Sequence, residues 1–254
     1  MMFLFKLIKP IVDPLVTAIA WIYYIGGYLV FFWPFHVWVY FFSANREHGF
    51  QKVNRRIYQS FFWVLRKITP GLKLNIPGDV MAIRSSVIVC NHLSFLDPIL
   101  LISLYDKQKT IVKNSFFKLP VFGWLLKNSG YLPSETGGDS FDLMLASLAD
   151  MPDYLAAGGN LFIFPEGTRS RTGKTGPFNK GAFSIARKCR ASIAVLHIRN
   201  TGKLFPPDKI LFNTCVDTTI SIELITLLKP TYDDDDFSLT DLIEGVQKYY
   251  RNTV

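Results

Sequence analysis

The stretch Val87-Ile88-Val89-Cys90-Asn91-His92-Leu93-Ser94-Phe95-Leu96-Asp97-Pro98-Ile99-Leu100-Leu101-Ile102 sets a compact polar group between two apolar runs. The first run reads as a short buried strand, and the second as a helix from about Pro98 to Tyr105. A strand that ends in a polar cluster and hands over to a helix is a building unit of an α/β domain. His92, with the carboxylate of Asp97 five positions on, has the parts of a general base and its orienter. The same residues also fit a satisfied structural histidine beside an Asp that starts a helix, so this stretch alone leaves both readings open.

Outward from it the pattern repeats. Leu72 to Ile76 alternates as a strand and ends at Pro77-Gly78, and Ile111 to Lys113 is a further short strand. Asn114 to Asn128 is apolar, broken by Pro120 and Gly123, and reads as a groove wall or a lipid contact. A helix capped by Ser140-Phe141-Asp142 runs to about Ala157 and stops at Gly158-Gly159. Leu161-Phe162-Ile163-Phe164 is a buried strand, followed at once by Pro165-Glu166-Gly167-Thr168-Arg169-Ser170. A polar loop, Arg171 to Pro177, leads to a helix near Lys180 to Lys188. Strands at Ile193 to Ile198 and Thr219 to Ile225 follow, then a helix from the capping box at Ser238 to Asp241. The alternation predicts one α/β domain with a central mixed sheet flanked by helices, over residues 70–254.

Residues 1–69 differ in character. Pro14 to Asn45 holds no charged residue and is rich in Trp, Tyr and Phe, interrupted by Gly26-Gly27 and Pro34. It exceeds the roughly 20 residues that cross a bilayer as a helix. A kinked single span, a helix pair dipping into one leaflet, and a buried soluble helix pair all fit. If it spans, the basic residues after it (Arg46, Lys52, Arg55, Arg56, Arg66, Lys67) put the remainder on the cytoplasmic side of the membrane. Asn54 to Ile68 is amphipathic, suited to lie on anionic lipid or to pack on the domain.

The whole chain is 49% hydrophobic and carries 28 Lys and Arg against 20 Asp and Glu, a formal net charge of +8. That balance favours anionic partners: phospholipid headgroups, phosphorylated substrates or an acidic carrier protein. Nucleic acid shares that charge preference but is not expected as a partner. Cys90, Cys189 and Cys215 are odd in number, far apart and in apolar surroundings, so they read as free thiols without metal-ligand spacing. Asp233 to Asp236 reads as a solvated acidic loop, and no metal site is expected.

Two polar clusters follow buried strands of one α/β domain. Ligands of open α/β sheets collect at the carboxyl ends of strands, so His92 and Arg169 are expected to share a crevice. There His92 takes a proton from an attacking group, Asp97 fixes the imidazole tautomer, and Arg169 forks onto a phosphate or carboxylate. No Gly-x-Ser-x-Gly elbow presents a protein nucleophile, and Ser94 is read as a support for its turn. That leaves a substrate hydroxyl, hence group transfer onto an alcohol. Gly173-Lys174-Thr175 imitates the end of a phosphate-binding loop, but Thr168 stands where that pattern needs Gly.

Asn91-His92-Leu93-Ser94-Phe95-Leu96-Asp97 resembles the NHxSxxD block of the glycerolipid acyltransferases related to 1-acylglycerol-3-phosphate acyltransferase, and Phe164 to Ser170 resembles their FPEGTRS block. The resemblance covers roughly Leu72 to Ile198. It implies that His92 deprotonates the acceptor hydroxyl, oriented by Asp97, and that the hydroxyl attacks the thioester of acyl-CoA or an acyl-carrier protein. No cofactor and no covalent acyl-enzyme are implied. It also implies an acyl-chain tunnel, an acceptor phosphate site at Glu166, Gly167, Thr168 and Arg169 joined by Lys113 of a Lys-x-x-Phe block, and supporting roles for Asn91 and Ser94. The membrane segment would hold this site where a lysolipid resides, the acceptor expected being lysophosphatidic acid. Two positions depart from the family pattern: Thr136 replaces a phosphate-binding Arg, and Val195 replaces a Pro. Thr136 makes a non-phosphate lysolipid, such as a lyso-aminolipid, the alternative acceptor. A lipid-binding protein without catalysis on the same scaffold is the alternative from another class.

Overall fold

A computed structural model describes residues 2–134 and 139–251. Seven strands form one mixed sheet: β1 (Leu72–Asn75), β2 (Ser86–Cys90), β3 (Gln108–Val112), β4 (Leu132–Pro133), β5 (Asn160–Ile163), β6 (Ser192–Arg199) and β7 (Thr218–Leu228). Their spatial order is β1-β7-β6-β2-β5-β3-β4. Strands β6, β2, β5, β3 and β4 are mutually parallel; β7 runs antiparallel to β6, and β1 runs parallel to β7. Central β2 is buried along its whole length, which is why its sequence is continuously apolar instead of alternating.

The helices are α1 (Met2–Trp21), α2 (Trp33–Phe42), α3 (Arg46–Ile68), α4 (Gly78–Ala82), α5 (Leu96–Leu104), α6 (Asn114–Phe117), α7 (Pro120–Asn128), α8 (Asp139–Ala149), α9 (Met151–Ala156), α10 (Gly181–Lys188), α11 (Thr201–Leu204) and α12 (Leu239–Arg251). One face of the sheet packs Ile88, Cys90, Phe162, Leu196 and Ile220 against α3 and α5. The other packs Val87, Val89, Leu161, Ile193 and Val195 against α9, α10 and α12. The helix expected from residue 140 to 157 is instead two, α8 and α9. Pro152 in the first turn of α9 lacks the N–H that a continuous helix needs, so the chain restarts there. The side chains of the cap expected at Ser140-Phe141-Asp142 lie outside the described ones.

Helix α3 starts at Asn45, whose side chain accepts the His48 N–H at 2.9 Å, and it buries Phe50, Ile57, Tyr58, Phe61, Phe62 and Leu65 in the core. Its apolar face therefore meets the domain, not lipid, and Lys52, Arg56, Trp63, Arg66 and Lys67 are left on the exposed side. Residues 114–128 break before Pro120, which opens α7, and Gly123 inside α7 lets that helix approach the Phe117 carbonyl so closely that a Cβ would collide with it.

Between α1 and α2 the backbone stays helical, as a π-helical stretch Ile22–Phe32. Gly26-Gly27 falls within this wider turn and Pro34 sits at the start of α2, where a missing N–H is tolerated, so neither residue reverses the chain. The chain turns back only at residues 43–45, and the antiparallel partner of this long run is α3. Ile8–Phe42 is long and apolar enough to cross a membrane by length and composition.

The inner side of this run lies against the domain along its length. Asp13 accepts the Thr214 N–H at 2.9 Å and its hydroxyl at 2.7 Å, and Thr17 Oγ1 accepts the Phe212 N–H at 2.9 Å. Farther on, His36 Nε2 is 3.1 Å from Asn54 Oδ1, and Trp33 and Tyr40 both contact Trp124. The outer side presents Ile11, Leu15, Ile22, Ile25, Leu29, Phe35, Trp38 and Phe42, with Ile11 and Phe42 at 70% and 72% exposure.

Candidate active site

Because β2, β5 and β3 are neighbours and parallel, their carboxyl ends open at one edge of the sheet. His92 follows β2, the segment Phe164 to Ser170 follows β5, and Lys113 follows β3. Strand order thus brings the two polar clusters to one edge of the sheet, although the residues are far apart in sequence.

His92 Nδ1 lies 2.9 Å from Asp97 Oδ2. The same oxygen accepts the N–H groups of Leu93 at 2.6 Å and Ser94 at 2.7 Å. An oxygen already accepting two backbone donors acts as an acceptor, so Nδ1 carries the proton and Nε2 presents its lone pair. Asp97 is fully buried at the first turn of α5, whereas the His92 side chain keeps 17% of its surface open. Among the described residues no hydroxyl or thiol bonds to Nε2. Ser94 is buried, with its hydroxyl donated to the Phe205 carbonyl at 2.7 Å and accepting the Leu96 N–H at 3.3 Å. Burial and the nearby Asp97 carboxylate push the Cys90 thiol well above the ordinary thiol range, so it supplies no thiolate.

The segment after β5 closes on His92 from the other side. Glu166 Oε1 accepts the His92 N–H at 3.0 Å, and Oε2 accepts the Gly176 N–H at 2.9 Å. The Ser170 N–H donates to the His92 carbonyl at 2.7 Å. Phe164 lies flat on the imidazole, ring centroids 4.2 Å apart and planes 20° apart. Gly167, at φ +69°, turns the chain where an L side chain would be strained and would crowd Asn179. Beyond it Thr168 and Arg169 are exposed, and Arg169 has no hydrogen bond or ion pair among the described residues. Lys113 is likewise an exposed ammonium without an ion-pair partner among them. Arg171 is exposed and paired with Asp208 at 3.4 Å. Thr136 lies outside the described residues. Val195 is a fully buried residue in the middle of β6.

A family model described as Acyltransferase matches residues 73–199, half of the chain. The chain belongs to the acyltransferase family. A chloroplastic 1-acyl-sn-glycerol-3-phosphate acyltransferase of Arabidopsis thaliana is 35% identical over 158 residues, which is 60% of this chain and 44% of that protein. A 1-acyl-sn-glycerol-3-phosphate acyltransferase of Saccharomyces cerevisiae is 29% identical over 189 residues, 72% of this chain and 59% of that one. The chain spans about half the length of the curated relatives it matches. The crystal structure of the 1-acyl-sn-glycerophosphate acyltransferase of Thermotoga maritima superposes with a TM-score of 0.72 over 97% of each chain at 20% identity, a likeness of fold.

In this member of the acyltransferase family a side-chain bridge fixes the start of the loop that carries His92. The Asn91 side chain donates to the Ile198 carbonyl at 2.9 Å and accepts its N–H at 2.7 Å, continuing the β2–β6 ladder one residue past the strand and fixing where His92 emerges. The family resemblance implies that Glu166 serves the acceptor phosphate site; in the structure its Oε1 accepts the His92 N–H and its Oε2 the Gly176 N–H. Phe164, an aromatic at the end of a buried strand, has the sequence pattern of ordinary core, and its contact with His92 leaves no local sign in the sequence. His197, one strand over, is a structural histidine: its Nδ1 is 3.3 Å from Glu223, which Arg199 also reaches at 2.8 Å, and burial lowers it below the ordinary histidine range.

Proposed function

We propose that the acyltransferase moves a fatty acyl group from a thioester donor, acyl-CoA or acyl-carrier protein, to the hydroxyl of a lysoglycerolipid at a membrane. The acceptor we favour is 1-acylglycerol-3-phosphate, in keeping with the names of its relatives. The observation that carries the reading is the His92–Asp97 pair, with no hydroxyl or thiol bonded to Nε2 among the described residues. In this mechanism Nε2 takes the proton of the acceptor hydroxyl as its oxygen bonds to the thioester carbonyl carbon. The tetrahedral intermediate collapses, the C–S bond breaks, and the departing thiolate takes the proton back from the imidazolium. The products are the new ester and a free thiol, and His92 is regenerated.

Arg169 and Lys113, two cations at neighbouring strand ends without an ion-pair partner among the described residues, are the groups proposed to hold the acceptor phosphate, Arg169 through its planar fork. A panel of lysolipids with one acyl-CoA tests the acceptor: lysophosphatidate should be acylated in preference to uncharged or amino-lipid acceptors. Exclusive use of the latter would replace the phosphate reading by the one that Thr136 motivates. Arg169→Ala should raise KM for lysophosphatidate by about 10-fold, the loss of one or two charge-assisted bonds, with a smaller change in kcat. An unchanged KM removes Arg169 from the phosphate site.

The apolar outer side of the N-terminal run is proposed to lie in the membrane interface. From Asp13 to Tyr40 the run extends about 40 Å at 1.5 Å per residue, and the domain flanks both its ends. A perpendicular crossing would drag the charged domain into a hydrocarbon layer of about 30 Å, whereas an in-plane orientation buries only the outer stripe. The exposed basic side of α3 favours the anionic cytoplasmic leaflet. Phe35→Asp with Trp38→Asp should abolish flotation with vesicles containing phosphatidylglycerol while leaving the circular dichroism spectrum unchanged. Continued flotation of a folded double variant would place the membrane contact elsewhere.

A further inference from the structure

We propose that Phe164 is a positioning residue for His92: its ring face sets the plane of the imidazole, and so the direction of Nε2, and supports the imidazolium once the proton has arrived. The inference rests on the acyl-transfer reading above. The single bond from Nδ1 to Asp97 restrains the imidazole softly, and within the tolerance of that bond the ring can still rock about its side-chain torsions. A flat contact removes that freedom, and the two rings here are 4.2 Å apart and within 20° of parallel.

Phe164 is itself held. It continues from β5, its ring meets the buried ring of Phe162 edge-on at 6.1 Å, and its carbonyl accepts the Gly167 N–H at 3.1 Å. The negative face of a phenyl ring attracts a cation, so the stack becomes more favourable as the imidazole takes the proton, which is when catalysis needs it. Phe164 would therefore act on the ring of His92, while Glu166 and Ser170 act on its backbone.

A purely space-filling Phe164 would tolerate an apolar side chain of similar volume. Phe164→Leu is expected to lower kcat about 10-fold, because a small error in the direction of attack is costly, with KM for the acceptor within about twofold of the parent. Phe164→Tyr keeps the ring and should restore kcat to within about twofold of the parent. A second measurement needs no turnover. In the full chain in detergent micelles, the ring C–H protons of His92 should resonate upfield through the ring current of Phe164. They are identified among the four histidines by their loss in His92→Ala. In Phe164→Leu, or in Phe164→Met should the leucine variant not fold, they should return to ordinary positions. Parent-like kcat in the leucine variant, equal loss in the tyrosine variant, or no upfield shift in the parent would each overturn the proposal. A chain that acylates no lysolipid but shows the upfield shift would overturn the proposed function and leave the stack in place.

Discussion

His92→Ala is expected to reduce acyl transfer by about 10²-fold or more with the fold and vesicle binding preserved. The large kinetic effect follows from position: Nε2 is the basic atom open to an acceptor hydroxyl, and no serine or thiol among the described residues is placed to take over. The fold should survive because the bonds that pin this residue are made by its backbone, its N–H to Glu166 and its carbonyl to Ser170, and alanine keeps both. What is lost is the ring stack and the one hydrogen bond that Nδ1 donates to Asp97, which still accepts from Leu93 and Ser94. The stability change should be about 1 kcal/mol. Initial rates with acyl-CoA and lysophosphatidate in mixed micelles, with a thermal melt on the same sample, are the check. A folded alanine variant at the parent rate would end the general-base mechanism.

Asp97 is expected to separate two roles that one carboxylate combines. All three of its described hydrogen bonds converge on Oδ2. Oδ1 is buried without a hydrogen-bond partner among the described residues. In Asp97→Asn the amide oxygen can take the Oδ2 position and keep the loop bonds, with the NH2 group where Oδ1 stood. The charge that steadies the imidazolium is lost, so kcat should fall by roughly 10² to 10⁴-fold while the loop keeps its shape. Asp97→Ala removes the acceptor as well and strands two backbone N–H groups, at a cost of about 1–3 kcal/mol each. For a chain of this size a loss of that kind lowers the melting midpoint by about 2–4 °C per kcal/mol. The signature is therefore a kinetic defect in both variants and a thermal defect chiefly in the alanine one. Parent-like kcat in the asparagine variant would mean that Asp97 serves only the turn.

The strand–polar cluster–helix reading of Val87 to Ile102 held because a strand buried on both faces must be continuously apolar, and β2 is the centre of the sheet. Where local pattern left alternatives open, a specific contact or backbone geometry chose between them. Gly26-Gly27 and Pro34 resemble a chain reversal, yet a π-helical stretch and the start of α2 absorb them, and the reversal waits for residues 43–45. The amphipathic Asn54 to Ile68 suited lipid and protein equally, since both offer an apolar surface. Its contacts with the core chose protein, and the exposed apolar stripe lies on the neighbouring helix instead.

The sequence by itself determined the α/β class, the two polar clusters at strand ends and the pairing of His92 with Asp97, because each is carried by residues within a few positions of one another. Tertiary structure alone decided what Phe164 and Glu166 touch. They stand more than seventy positions from His92 in sequence, and only the parallel pairing of β2 with β5 brings the segments together. The same holds for the N-terminal run: its apolar composition was plain from the residues, but which side faces outward depends on Thr214, Asn54 and Trp124, contacts made across the fold.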